Sequence, residues 1–153
     1  TYRSPSYSNV FAAGIAFAPP HQLSKPRKSP NGTIIAPAPP RTGMPSGIIA
    51  RSVALSICDM IDRGATEPTH RASMAHMGAA CIASAGYGIT SGQAAAMTMY
   101  PIVPDFDKYP ETGRSTASTF GDLGLAAHWV KYMLHYLFIY KAKARPFWFL
   151  IPE

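Results

Sequence analysis

Prolines occupy two long stretches of this 153-residue chain and confine its regular structure to the segments between them. Residues 19–45 are dominated by Pro, Ser, Lys and Arg, and residues 101–121 are interrupted by further prolines. Proline has no backbone N–H donor and clashes with the preceding helical turn, so it breaks helices and removes hydrogen bonds from strand ladders. We therefore expect both stretches to be mostly irregular, with one brief strand at residues 33–35.

Two segments outside these stretches have the periodicity of amphipathic helices. Residues 46–63 place apolar side chains on one face, and Gly64 stands where it can cap the C-terminus. This face consists of Ile49, Val53, Ile57, Met60 and Ile61. Residues 123–143 predict a second helix with a broad aromatic stripe. The stripe consists of Trp129, Tyr132, Met133, Tyr136, Leu137 and Tyr140.

Short strands account for the remaining ordered segments. Small residues at 79–85 and 94–100 predict two β-strands, joined as a hairpin by the glycine-rich connection between them. Residues 10–12 are apolar and run towards Gly14, which indicates a buried strand that ends at a close backbone approach. An ordinary strand with a turn glycine explains the same pattern. The predicted fold class is α/β, as an α+β fragment with a β-hairpin and a C-terminal amphipathic helix.

The chain carries few charges for its size. Charged residues make up 14% of the sequence, against about 25% in an average globular domain, so we expect other protein or lipid to cover part of the surface. The net charge is +6, but no dense basic patch or nucleic-acid motif occurs, which argues against nucleic acid as a partner. Lys141, Lys143 and Arg145 lie among aromatic residues, a composition that suits an anionic membrane surface.

The two cysteines have neither the spacing of a disulfide scaffold nor that of a metal site, so no metal is expected. Cys81 lies in a short apolar segment before a glycine-rich turn, and a redox thiol and an inert buried residue both fit that position. Cys58 lies in the middle of the first helix, where packing is the expected role.

Two further segments carry candidate functional residues. Thr42–Gly47 leads into the first helix, whose N-terminus offers free N–H groups and a partial positive charge, and Ser46 acting only as an N-cap is the alternative. In the second helix, His128, Lys131 and His135 make a membrane span improbable. A helix lying in the membrane interface and a helix packed in a protein core both remain open.

In this order, the motifs resemble the C-terminal part of the sulfide:quinone oxidoreductases, FAD enzymes with two dinucleotide-binding domains. Residues 9–15 are similar to the late strand that closes the FAD site, and Thr42–Gly47 is similar to the family's Thr-Gly-Val-Pro-Lys-Thr-Gly segment. Ser46 stands where the family has Lys, and His128 stands where it has Lys before a Trp. No G-x-G-x-x-G occurs, so the pyrophosphate loop is expected in an N-terminal part outside this sequence.

The resemblance implies FAD as the cofactor, Cys81 as a catalytic redox thiol, sulfide as the electron donor and a membrane quinone as the acceptor. The implied cofactor contacts are Gly14, Ile15, Thr42, Gly43, Met44, Pro45 and His128, and the implied quinone-side walls are Phe147 and Trp148. Residues 1–121 would be the C-terminal part of the FAD-binding region with a Pro-rich insert at 19–45. Residues 122–153 would be an amphipathic segment that associates with the membrane surface.

The implied protein is therefore a peripheral, monotopic membrane enzyme that works with the N-terminal part of the same enzyme, and a homo-oligomer stays open. Two alternatives stand beside this interpretation. The first is an NADH:quinone oxidoreductase of the same fold, in which Cys81 only packs. The second is a non-enzymatic module that anchors to a membrane or to a partner.

Overall fold

A computed structural model describes residues 1–17, 23–38 and 41–151, so the predicted irregular stretch 19–45 lies partly outside the described residues. Within these ranges the chain has two α-helices and two small antiparallel sheets, which confirms a mixed α+β fold. It divides into two compact units. The first is Thr1–Ala79 with Met99–Ser118, and the second is Ala80–Thr98 with Thr119–Glu153.

Helix α1 spans Gly43–Asp62 in the first unit and begins three residues before its predicted start. Gly64 follows with a φ of +67°, and the Ala65 N–H donates to the Asp59 carbonyl oxygen at 3.3 Å. The chain therefore leaves the helix through a left-handed glycine, the conformation that commonly ends helices at this position. The predicted C-terminal cap is confirmed.

The predicted apolar face of α1 is only partly correct. The buried residues are Pro45, Ile49, Ser52, Val53 and Ser56. Ile57 and Ile61 are exposed instead, Ile61 to 76%. The contact face contains serine because its small side chain allows a neighbouring segment to come close, and the Ser56 Oγ accepts a hydrogen bond from the His70 N–H at 3.1 Å. A pattern of hydrophobic residues therefore cannot predict that small serines lie on the buried face.

The core of the first unit forms where α1 meets two loop segments. It consists of Ile49, Met74, Met77, Ala79, Ile102 and Val103. The Ile102 N–H donates to the Met77 carbonyl oxygen at 2.7 Å, which joins the two loop segments through their backbones. Gly113, with a φ of +69°, lies against Pro104 and Phe106, where a Cβ would be 2.8 Å from the proline ring. These contacts fix the irregular stretch after residue 100 without regular structure.

The predicted buried strand at residues 10–12 is wrong. Val10 is 47% exposed, and Phe11 forms only an isolated antiparallel bridge with Arg3. The chain turns back on itself here, so that the Ala12 N–H donates to the Tyr2 carbonyl oxygen at 3.0 Å. An apolar run shows that a segment can be buried, but it does not show whether a second strand exists to cover it.

Two very short strands, β1 (Arg27–Lys28) and β2 (Ile34–Ile35), pair antiparallel with Lys28 opposite Ile34. This confirms the brief strand predicted at 33–35. Both strands are exposed, so the pair is a surface ribbon within the proline-rich stretch.

The larger sheet contains three strands in the order β3-β4-β5, and the first two are the predicted hairpin. Strand β3 spans Ala79–Ser84 and β4 spans Ala94–Met99. The Ala85 N–H donates to the Gln93 carbonyl oxygen at 2.8 Å beside the connection. The hairpin is confirmed.

Strand β5 (Phe120–Gly124) corrects the prediction that residues 101–121 are irregular and that a helix starts at 123. It pairs antiparallel with β4, with Ala96 opposite Asp122. Its two glycines disfavour a strand locally, so the hydrogen bonds to β4 decide its conformation. Helix α2 then spans Leu125–Ala142.

Candidate functional site

Gly14 lies directly against the first turn of α1. Its φ is +61°, and a Cβ at this position would lie 3.0 Å from the Oγ of Ser46. Glycine therefore serves two needs here, a left-handed backbone and a close approach. The backbone of Gly14–Ala16 continues as a short 3-10 turn. The structure thus brings Gly14 and the backbone of Ile15 to the N-terminal end of α1.

The start of α1 leaves hydrogen-bonding groups without protein partners. Thr42 is the N-cap residue, but its side chain makes no capping hydrogen bond, and its Oγ1 is buried without a partner among the described residues. The Ser46 Oγ donates to the Thr42 carbonyl oxygen at 2.8 Å, so Ser46 is not the N-cap that the alternative interpretation required. The first amides of a helix have no acceptor within that helix.

The chemistry of this helix start suits an electron-rich group. The helix dipole gives it partial positive charge, and its first turn contains no acidic residue that would neutralise that charge. A Cβ added to Gly43 or Gly47 would meet no described atom within 4 Å, so the backbone is open on that side. Met44 is 40% exposed next to this surface, whereas Pro45 is fully buried and anchors the turn.

Cys81 lies in β3 as a free, half-buried thiol. Because it belongs to a paired strand, its backbone is fixed and its neighbours along the strand are alanine and isoleucine. Cys58 is exposed on α1, so the packing role expected for it is wrong. Within the described ranges no group of three or more His, Cys, Asp or Glu side chains could hold a metal ion.

His128, in the first turns of α2, occupies a socket made by glycine. A Cβ at Gly92 would overlap the imidazole ring of His128, so this ring requires glycine in the β3–β4 connection. The Nδ1 atom of His128 is buried and has no partner among the residues that the structure describes. The ring also stacks on Tyr132, with ring centroids 6.5 Å apart and an angle of 28° between the ring planes.

An aromatic row continues from His128 along α2. Tyr132 and Tyr136 are in edge contact at 5.2 Å between ring centroids, and the Tyr136 hydroxyl donates to the Tyr132 hydroxyl at 3.2 Å. This hydrogen bond raises the pKa of Tyr136. At the end of the row the Tyr140 hydroxyl donates to the Pro146 carbonyl oxygen at 2.8 Å, and the Arg145 guanidinium lies 5.9 Å from the Tyr140 ring centroid.

The C-terminal segment is apolar, basic and uncovered. None of the residues of α2 is buried, which contradicts the alternative in which α2 packs in the core of this chain. Phe147 and Trp148 follow α2 and are 69% and 41% exposed, and Trp148–Leu150 forms a 3-10 turn. Residues 125–151 contain basic side chains and no acidic one.

The predicted site residues fall into two groups, one in each unit. The first group surrounds the start of α1 and includes Gly14 and Thr42–Pro45. The second group belongs to the sheet, to α2 and to the segment after α2. It consists of Cys81, His128, Phe147 and Trp148.

Sequence reasoning missed a cleft of about 830 Å³ in the first unit. One wall contains Tyr2, Arg3 and Phe17, with Tyr2 edge-on to Phe17 at 4.7 Å between ring centroids. Other walls come from residues 72–75 and 103–107. Because these segments are far apart in the chain and share no motif, no sequence signal could have indicated the cleft.

No protein-family model, curated protein or solved structure matches this chain. Among the described helices, α1 is long and apolar enough to reach into a membrane by length and composition. A helix that packs one face on a protein core passes the same criterion, and α1 packs on the core through Ile49.

Proposed function

We propose that this chain is the C-terminal part of a peripheral membrane flavoprotein that oxidises sulfide and passes two electrons through FAD to a quinone. The observation that carries the proposal is the contact between Gly14 and Ser46. It joins, at the start of α1, the two motifs that the resemblance assigns to the flavin. The contact places both motifs at one end of α1, where a single ligand could reach them.

The residues at the start of α1 fit the cofactor. The buried Thr42 Oγ1 lacks a protein partner, and the first amides of α1 add donors at the positive end of the helix. These groups would donate hydrogen bonds to an electron-rich ring edge, while Gly14 lets its own segment pack closely on Ser46 beside them. When bound, FAD supplies the two-electron transfer, and the protein supplies orientation and electrostatics.

Cys81 would hold the sulfur. In the proposed reaction HS⁻ attacks a disulfide between Cys81 and a thiol of the N-terminal part. One S–S bond breaks and one forms, so that one cysteine becomes a persulfide and the other leaves as a thiolate. The position of Cys81 in the paired strand β3 supports this role, because a reacting thiol on a rigid element keeps a fixed orientation.

The uncovered C-terminal segment would rest on the membrane. An apolar helix with no buried residue needs a partner, and lipid provides apolar contact together with anionic head groups for Lys141, Lys143 and Arg145. Phe147 and Trp148 would then flank the entry of a lipid-soluble quinone. His128 would present its unpartnered Nδ1 to the quinone, at the position where the family that the motifs resemble has a lysine.

The test uses the complete open reading frame that contains these residues. Purified protein is expected to show the visible spectrum of oxidised flavin and to lose it when sulfide is added without oxygen. Cys81→Ser should keep the flavin spectrum but abolish its reduction by sulfide, and the control Cys58→Ser should behave as wild type. Protein that stays colourless after incubation with FAD, or Cys81→Ser protein that sulfide reduces at the wild-type rate, would contradict the proposal.

Two alternative functions are tested by separate outcomes. If NADH reduces the flavin of Cys81→Ser protein and sulfide reduces neither protein, the NADH:quinone reaction replaces the sulfide reaction. The uncovered helix α2 also favours an anchoring module. That candidate predicts binding to anionic vesicles by a protein that takes up no flavin.

A further inference from the structure

A polar cluster ties the C-terminal end of α1 to the segment that follows it. The Thr69 Oγ1 donates a hydrogen bond of 2.6 Å to the Asp59 Oδ2, and the His70 Nε2 lies 3.3 Å from the same oxygen. Ser56, which is buried, accepts a hydrogen bond from the His70 N–H at 3.1 Å. The Ser56 Oγ also donates to the His70 carbonyl oxygen at 3.3 Å, so residues 69 and 70 are held on α1 by two backbone hydrogen bonds and two side-chain contacts.

The same segment holds the N-terminal residues of the chain. The Arg3 guanidinium donates to the Thr66 carbonyl oxygen at 3.0 Å and pairs with the Glu67 carboxylate at 2.6 Å. The Tyr2 hydroxyl donates to the Ala72 carbonyl oxygen at 2.6 Å. Residues 66–72 thus lie between α1 and the N-terminal segment, with hydrogen bonds to both.

These contacts continue to the other end of α1. The Tyr2 carbonyl oxygen accepts a hydrogen bond from the Ala12 N–H, and two residues later Gly14 rests on Ser46 in the first turn of α1. A continuous series of contacts therefore runs from Asp59 through residues 66–72 to Gly14.

We propose that Asp59 and His70 form a proton-sensitive latch, which fastens residues 66–72 to α1 more tightly when His70 is protonated. A neutral imidazole makes a neutral donor contact with the carboxylate, whereas a protonated one makes a charge-assisted hydrogen bond, which is stronger. This inference goes beyond the proposed flavin chemistry and does not depend on it.

The charged groups around His70 set the strength of the latch. Asp59 is the nearest, and Arg63 shares its carboxylate at 3.5 Å. Glu67 and Arg71 flank His70 in the same segment, and Arg3 approaches that segment from the N-terminal side. The hydrogen bond from Thr69, together with the nearby Arg63 and His70, lowers the pKa of Asp59, so its carboxylate is charged near neutral pH.

The latch has a structural consequence in the first unit. Residues 72–75 form one wall of the cleft, and Tyr2 and Arg3, which the same segment holds, form another. Protonation of His70 therefore tightens two walls of the cleft together. Loss of the proton loosens them.

Amide hydrogen exchange of the 153-residue chain tests the latch and needs no cofactor. After correction for the chemical exchange rate, protection of the His70 amide, which donates to Ser56, should rise about two- to fivefold from about pH 8 to about pH 6, the range expected for an exposed ion pair. His70→Gln keeps a side-chain N–H donor but cannot be protonated, so its protection should not change with pH. His76→Gln alters an exposed histidine outside the cluster and should keep the wild-type pH dependence.

Equal pH dependence in His70→Gln and wild type, or constant protection in wild type, would overturn the latch. If His70→Gln does not fold, Asp59→Asn serves the same comparison. It keeps an acceptor for Thr69 but removes the charge that a protonated His70 needs, so its protection should also be constant with pH. A wild-type pH response in Asp59→Asn would equally overturn the inference.

Discussion

Helices α1 and α2 have similar length and similar apolar content but differ in what covers them. Helix α1 has a buried face, a glycine cap and side-chain contacts to the segment after it. Helix α2 has no buried residue and touches β5 at its start and the 3-10 turn at its end. An isolated helix of this length is only marginally stable in water. The comparison teaches that α1 is stabilised within the chain, whereas α2 needs a partner surface.

The largest expected effect comes from removing core contacts of α1. Ile49 is 2% exposed, so Ile49→Ala should lower the free energy of unfolding by about 2–5 kcal/mol. Leu134, 48% exposed in α2, is the matched position, and Leu134→Ala should change it by no more than about 0.5 kcal/mol. Urea denaturation measures both. Equal losses would show that α2 is packed in the chain as α1 is.

Removing the basic residues in the last turn of α2 and just after it should have the next largest effect. Replacing Lys141, Lys143 and Arg145 with Gln should weaken binding to anionic vesicles by about 1 kcal/mol per residue, measured by co-sedimentation. Replacing Arg27 and Lys28 with Gln removes positive charge from the exposed ribbon of the first unit and should leave vesicle binding unchanged. If both sets weaken binding equally per charge, net charge and not α2 governs the association.

Two glycines in the first unit allow the contact at the start of α1 to be isolated. Gly64→Ala places a side chain at positive φ in open space and should cost about 1–2 kcal/mol of stability. Gly14→Ala carries the same backbone strain and adds the close approach to Ser46, so it should cost more. Ser46→Ala in the Gly14→Ala background removes the Oγ but leaves the Cβ of residue 46 at 3.1 Å, so it should recover part of the difference. No recovery would mean that Gly14 does not rest on Ser46.

The smallest effect concerns the pH dependence of α1 stability. The pKa of Asp59 is lowered in the folded chain, first by the hydrogen bond from Thr69. A carboxyl group with a lowered folded pKa stabilises the fold above its unfolded pKa, and this stabilisation is lost as the pH falls through the folded pKa. Asp59→Asn should therefore flatten the loss of stability between about pH 5 and pH 3, seen in thermal unfolding. An unchanged acid profile would show that Asp59 gains nothing from its neighbours.

The sequence predicted what local chemistry decides. The helix α1, its cap at Gly64 and the β3–β4 hairpin follow from side-chain period and turn glycines. Strand β5 could not be predicted because its glycines disfavour a strand and only the hydrogen bonds to β4 define it. The exposure of Val10 could not be predicted either, because its segment is apolar but no neighbouring strand among the described residues covers it.

The candidate site shows the same division. The resemblance predicts that Gly14 and Thr42 contact the same cofactor. The spacing of these residues in the chain does not predict the contact between Gly14 and Ser46. The socket of Gly92 for His128 and the cleft beside Tyr2 depend on segments that meet only in the folded chain. Thr69 and His70 belong to no sequence motif, so their contacts with Asp59 could not be predicted from the sequence either.

Binding of FAD to the complete protein tests the central claim most directly, because it asks whether the start of α1 contacts the cofactor. Thr42→Val keeps the shape of the side chain and removes the unpartnered hydroxyl, and Thr90→Val is the matched change at an exposed turn. One lost hydrogen bond is worth about 0.5–1.5 kcal/mol, so Thr42→Val should weaken FAD binding about two- to tenfold while Thr90→Val leaves it unchanged. Equal affinity in all three proteins, or no FAD binding by the wild type, would contradict the account.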